Sequence, residues 1–208
     1  MEIIWNGHAC FTVISADYSI VLDPYGPNAV PGFAPLQLRA DAVLCSHGHG
    51  DHNYAQAVTP ESGEKACPFV IHTIGSWHDD AQGTLRGPNT IHLLEAEGMR
   101  VAHMGDIGCP LNAEQIEKLR GLDAVLIPVG GFYTVDAKQA AEMAKQLDAR
   151  VIIPMHYRGE GFGLTKVGTL DEFTKLWPAE FVRRYESSSL TLMPDTAPQA
   201  AVLKPLYA

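Results

Sequence analysis

Ser46-His47-Gly48-His49-Gly50-Asp51-His52 places three histidines and an aspartate in six consecutive positions, directly after the apolar run Ala42-Val43-Leu44-Cys45. Side chains on a strand alternate between faces, so an extended segment would aim only some of these groups at one point. Gly48 and Gly50 are expected to allow a tight turn instead, which gathers several ligand atoms. Imidazole and carboxylate together suit Zn, Mn or Fe better than Ca or Mg, which prefer all-oxygen shells. A lone His-Gly-His is ordinarily a solvated loop. Four potential ligands in one turn, each costly to bury unpaired, exceed what loop filler accounts for.

His-x-His-x-Asp-His after a short strand resembles the signature of the metallo-β-lactamase superfamily. The resemblance spans nearly the whole chain, since His78, Asp106 in His103-Met104-Gly105-Asp106, and His156 in Ile152-Ile153-Pro154-Met155-His156-Tyr157 match its further ligands in order and setting. It implies an αββα sandwich, with His47, His49 and His78 on one metal, Asp51, His52 and His156 on a second, and Asp106 between them. It also implies that Asp51 and Asp106 belong to the catalytic machinery. Four histidines, His72, His78, His92 and His103, lie in the interval for the third imidazole. The related branch carries that ligand in a His-Asp loop, which selects His78 beside Asp79. Five neutral imidazoles and two carboxylates around two divalent ions leave positive charge to spare. Such charge lowers the pKa of water from 15.7 toward about 7, giving a bridging hydroxide that needs no protein nucleophile. No Gly-x-Ser-x-Gly elbow is present.

Other residues carry weaker expectations. His8, in Trp5-Asn6-Gly7-His8-Ala9-Cys10-Phe11, resembles an N-terminal motif of small lactonase-like and phosphodiesterase-like members, and reads as a substrate contact or a hairpin histidine. Tyr133 and Arg158 follow apolar strands and are candidate substrate contacts, the arginine for a phosphate or carboxylate. Asp23 and His103 are expected to brace the ligands from behind, as metal ligands require.

The elements that must position these groups read as follows. Residues 2–6 and 10–15 form a hairpin, and Ile20–Leu22 a third strand. Residues 25–36 form a Pro- and Gly-rich loop suited to a rim or lid. Residues 41–45 form the strand that delivers the metal turn, 53–58 a short helix, and 69–72 a strand. A loop over 75–89 carries His78. Residues 90–94 and 99–103 form a hairpin about Glu97-Gly98. The pairs Asn112/Gln115, Asp136/Gln139 and Thr169/Glu172 are capping boxes that open three helices. Residues 124–129 and 150–155 are nearly continuous apolar runs, hence buried strands. Two more strands cover 181–185 and 190–193. From the residues alone the class is α/β or α+β; the sandwich comes from the resemblance.

The chain has 208 residues, 46% hydrophobic and 19% charged, enough for one domain with a substantial core. Its formal net charge of −9 gives no pull toward nucleic acid or anionic membranes. The four scattered cysteines suggest reduced thiols. With no basic leader and no run near the roughly 20 apolar residues of a membrane span, the expectation is a cytoplasmic protein. The leading reading is a two-metal hydrolase, most suited to Zn with Mn or Fe as alternatives, acting on a small ester, lactone or phosphodiester. A one-iron enzyme oxidising a sulfur substrate and a non-catalytic metal-binding protein are the competing readings. Oligomeric state is open.

Overall fold

The computed structural model describes residues 1–63 and 65–208. Its first layer is a five-stranded sheet, in order β13-β1-β2-β3-β5. The strands are β1 (Glu2–Gly7), β2 (Cys10–Ser15), β3 (Tyr18–Leu22), β5 (Ala42–Leu44) and β13 (Ser189–Thr191). The hairpin between β1 and β2 closes through Gly7 and His8, both at positive φ (+128° and +52°). The second layer has seven strands, in order β12-β14-β11-β10-β9-β8-β7. They are β7 (Val70–Trp77), β8 (Pro88–Ala96), β9 (Met99–His103), β10 (Ala124–Pro128), β11 (Val151–Met155), β12 (Val182–Arg184) and β14 (Gln199–Val202). A short parallel pair, β4 (Leu38–Ala40) with β6 (Val58–Pro60), stands apart.

The two sheets share one core. Ile3, Trp5, Phe11, Val13, Ile20 and Leu22 from the first sheet join Ile91, Leu93, Val101, Leu126 and Ile153 from the second in a single buried cluster. Alternation explains the first sheet: the odd residues of β2, Phe11 and Val13, enter this core, while Cys10 faces the other way. In the second sheet β10 and β11 run parallel and are buried throughout, as their unbroken apolar sequence requires. The connection between them is α2 (Ala137–Gln146), whose Ala140, Ala141, Met143 and Ala144 are buried and which packs on β10. Its cap is reciprocal: Gln139 N donates to Asp136 Oδ1 at 2.8 Å, and Asp136 N to Gln139 Oε1 at 2.9 Å. The same arrangement opens α1 (Ala113–Leu119) at Asn112 and Gln115. At α3 (Leu170–Thr174) the Thr169 amide donates to Glu172 Oε1 at 3.4 Å. All three expected caps are present.

The outer face of the five-stranded sheet is covered differently. Tyr25, Val30, Phe33, Leu36, Ala40 and Val58 form a second buried cluster against Cys10 and Val21. The layer there is the 23–37 loop with the β4–β6 pair, and a single 3-10 turn stands at Ala55–Ala57 where a helix over 53–58 was expected. Other elements also differ from expectation. β7 runs on to Trp77, so the loop carrying His78 shrinks to 78–87. Of the C-terminal strands, β12 lies within the expected 181–185, while β13 begins at Ser189, one residue before the expected 190–193, and pairs with β1 through Ile3 and Leu190. β14 was not foreseen, because its Gln199-Ala200-Ala201-Val202 holds two alanines, which carry weak strand preference.

Candidate metal centre

The site is assembled at one edge of the sandwich, where strands end. His8 follows β1, Asp23 follows β3, and the 46–52 segment follows β5. His78 follows β7, Asp106 lies three residues past β9, Tyr133 comes after β10, and His156 follows β11 directly. Within each sheet these strands run the same way. β1 and β3 are each antiparallel to β2, and β3 is parallel to β5. β7 and β9 are each antiparallel to β8, and β9, β10 and β11 are mutually parallel neighbours. The groups therefore sit outside the carboxyl ends of parallel strands, the usual place for a ligand beside such sheets.

The 47–52 segment closes as a turn through the His52 amide, which donates to His49 O at 3.0 Å. Gly48 and Gly50 have ordinary φ, and a Cβ at either would meet nothing within 4 Å, so the turn does not depend on them. Gly105 is the glycine that matters: at φ +56°, a Cβ there would lie 2.3 Å from Asn89 Oδ1 and 2.5 Å from Ser46 Cβ. It lets the Asp106 segment press against the Ser46 turn.

Two groups of donors result. Ligand atoms of His47, His49 and His78 lie within 4.8 Å of one another, and so do those of His8, Asp51, His52 and His156. Asp106 stands between them. Its Oδ2 is 3.3 Å from His78 Nε2 and 4.0 Å from His47 Nε2 on one side. On the other side it is 3.2 Å from His52 Nε2 and 3.3 Å from His156 Nε2. Every residue expected to bind metal is thus at the site, His78 included. His72 is exposed beside Glu95, and His92 Nε2 donates to Cys45 O at 3.2 Å, away from the cluster.

Behind the donors, Asp23 sets their orientation. It is fully buried at φ +46° and accepts from Ser46 N at 2.6 Å, Ser46 Oγ at 2.5 Å and His52 Nδ1 at 2.8 Å. Having given its proton to Asp23, the Ser46 hydroxyl accepts from His47 Nδ1 at 2.9 Å. Both rings thereby carry their proton on Nδ1, and both Nε2 lone pairs face the site. His103 is locked by donation from Nε2 to Ala9 O at 2.8 Å, and its Nδ1 accepts from Gly105 N at 3.2 Å. Asn89, unremarked in the sequence, accepts from the Asp106 amide at 2.9 Å and donates to Met104 O.

The electrostatics are those of a site built for added positive charge. Burial opposes the charge of Asp106, yet the imidazoles of His156 and His52 outweigh it and hold the carboxyl well below its usual range. Burial likewise opposes a charged His52, but Asp106 and Asp23 raise it well above an ordinary histidine. His47 is pushed down to about 3 and His8 to about 4, first by burial and then by neighbouring imidazoles. Among the described residues, the buried Nε2 atoms of His8, His47, His52 and His156 and Oδ1 of Asp106 have no hydrogen-bond partner. So many buried polar atoms without hydrogen-bond partners on one spot are costly without a cation to draw them together. The donor set, imidazoles with carboxylates, fits Zn, Mn or Fe(II).

A cavity of about 460 Å³ opens onto the site, lined by His49, Asp51, His78, Asp106 and His156 and walled by Ala29, Arg86, Tyr133 and Leu164. Tyr133 reaches it as expected. His8 does not: it is 2% exposed and lies behind Asp51, with Nε2 3.3 Å from Asp51 Oδ2. Arg158 is also absent from the wall. Its side chain is exposed, and Nε donates to Val167 O at 3.3 Å. The arginine that reaches the cavity is Arg86, held by a device the sequence hid. Asp79 accepts from the amides of Ala81, Gly83, Leu85 and Arg86 at 2.7–3.1 Å, winding the 79–86 loop around its carboxylate.

Comparison with known proteins agrees with this architecture. Residues 2–156 match the model of the β-lactamase superfamily domain. A UPF0173 metal-dependent hydrolase of Pelotomaculum thermopropionicum is 30% identical over 193 residues, 76% of this chain and 84% of that protein. One from Thermoplasma acidophilum is 29% identical over 188 residues, 76% of this chain and 83% of the relative. A Thermotoga maritima crystal structure, described as a candidate zinc-dependent hydrolase of the metallo-β-lactamase superfamily, is 32% identical. It superposes with a TM-score of 0.75 over 97% of each chain. On its sequence, its sandwich and its cluster of histidines and aspartates, the chain is a member of the metallo-β-lactamase superfamily of metal-dependent hydrolases.

Proposed function

We propose that residues 1–208 act as one domain, a dinuclear hydrolase of a small ester, lactone or phosphodiester. The observation that carries this reading is Asp106, one carboxylate oxygen of which lies within 3.2–3.3 Å of imidazoles from both donor groups. His47, His49 and His78 would hold one divalent ion, and Asp51, His52 and His156 the other, with Asp106 shared. Zinc suits the set best, and Mn or Fe is compatible. Such ions, when bound, supply Lewis acidity toward a substrate oxygen and lower the pKa of water toward about 7.

The chain's own residues do the rest. Asp51 lines the cavity, and burial, which opposes its charge, is outweighed by His8 and His52, so that it stays ionised. It accepts a hydrogen bond from the attacking water and orients it. Tyr133, which also lines the cavity, offers its phenolic O–H to the substrate as a hydrogen-bond donor. The 460 Å³ cavity admits a small molecule rather than a polymer, and the net charge of −9 disfavours nucleic acid and anionic membranes. No helix among the described residues is long and apolar enough to cross a membrane. Four free cysteines accord with a cytoplasmic location.

Elemental analysis of metal-loaded, desalted protein tests the site. About two ions per chain, with hydrolysis in an ester, lactone and phosphodiester screen, is the expected outcome. One tightly held iron and no hydrolysis would replace it with the iron oxidoreductase reading, in which the Asp51, His52 and His156 group has no task.

A further inference from the structure

Among the described residues, Arg86 is the only lysine or arginine on the cavity wall. Its Nη2 donates to Phe132 O at 3.3 Å, and its guanidinium lies 5.7 Å from the Tyr133 ring centroid. Among the described residues it has no carboxylate partner, although the chain carries 24 acidic residues against 15 basic ones. Its backbone amide is fixed by Asp79 Oδ2 at 2.7 Å, so the side chain leaves a tethered point rather than a free loop. Lys166 adds a second positive charge near the Phe132 that accepts from Arg86, with Nζ 4.8 Å from the Phe132 ring centroid. A guanidinium uses five N–H donors in a planar fork that matches carboxylate and phosphate oxygens. Among the described residues, only one of those donors is engaged.

Resting on the hydrolase reading above, we propose that the substrate carries an anionic group remote from the scissile bond and that Arg86 binds it. The wall is divided accordingly. Its histidines and aspartates would face the scissile bond, Ala29 and Leu164 offer apolar contact, and Arg86, beside Tyr133, would receive the charged end. The recognised chemistry is a carboxylate or a phosphate-type oxyanion. The Arg86 contact is a specificity contact and takes no part in bond cleavage.

Three phenyl esters of one acyl length separate the possibilities: phenyl pentanoate, monophenyl glutarate, and the matching ω-phosphonate. They differ only in the terminal group. With metal-loaded wild-type protein, kcat/KM for an anionic ester should exceed that for the neutral one by about 10–100-fold, the scale of a charge-assisted hydrogen-bonded contact. Which anion leads identifies carboxylate or phosphate. In Arg86→Gln the anionic-to-neutral ratio should fall toward one, chiefly through KM, and Arg86→Lys should keep part of it. A ratio near one in wild type, or a ratio untouched by Arg86→Gln while both rates fall together, overturns the proposal. If none of the esters is cleaved, the hydrolase reading fails on this class and the anion site is read separately by calorimetry. The unreactive anilides are titrated: glutaranilic acid binding wild type more tightly than valeranilide, with the difference lost in Arg86→Gln, upholds the site. Equal binding of both sinks it.

Discussion

Asp23 illustrates how one buried carboxylate can matter without itself being assigned to a metal. It accepts from Ser46 twice and from His52, and through the Ser46 hydroxyl it also fixes the His47 ring. Asp23→Asn retains the shape, and asparagine tolerates the left-handed backbone this position adopts. It introduces donors where acceptors are needed, freeing two rings to rotate. Metal affinity should fall about 10–100-fold with the fold intact, as for other losses of an orienting partner, and competition against a chromophoric chelator measures it. An unchanged affinity would remove Asp23 from this role. At this scale much was legible: His47, His49, Asp51, His52, Asp106 and His156 announce themselves because ligand-type residues follow apolar strands. Arg86 does not. It is one arginine in a polar loop, and only the winding of that loop around Asp79 sends it into the cavity. Arg158 looked better placed by proximity to His156, yet it turns outward.

The 78–87 loop is the element on which both a metal ligand and the cationic wall depend. It contains little apolar material, and its order comes from four amides converging on the Asp79 carboxylate. Burial opposes the charge of that carboxylate, and the four N–H donors outweigh it and keep it ionised. Asp79→Ala strands those amides. The expected result is a lower melting temperature together with metal content falling from about two ions per chain toward about one, since His78 leaves the first donor group while the second survives. Elemental analysis alongside a thermal melt reports both, and full metal content in the variant would show that His78 is held by other means. Elements with strong local signals were foreseen: the Glu97-Gly98 hairpin, where both residues take positive φ, and the three capped helices. β14 and the β4–β6 pair were not, because such short strands form only when a neighbour supplies hydrogen bonds.

On the scale of the whole molecule, the donors come from both sheets: His8, Asp51 and His52 follow strands of one, His78, Asp106 and His156 strands of the other. Ions at the centre would tie the layers together at one edge. Chelation should therefore speed amide exchange at the carboxyl ends of β5, β9 and β11 together, with little change at the far edge; uniform exchange would mean that the metals do not join the sheets. The sandwich itself was legible only through resemblance, because apolar strands say that faces are buried without saying against what. The 25–36 segment was read as a rim or a lid, and its packing decides between them. Val30, Phe33 and Leu36 are buried beneath it, Phe33 and Phe162 rings meet at 5.0 Å, and Gly163 N donates to Pro31 O at 2.9 Å. At Gly32 a Cβ would lie 1.9 Å from Gly161 O, so the 24–38 and 157–168 loops are keyed into one another. Raising either would expose several large side chains at about 1.5–3 kcal/mol each. The mouth is thus an aperture of fixed bore. Under the proposed hydrolase reading, molecules would be sieved by girth on the way in, and turnover would not wait on a door.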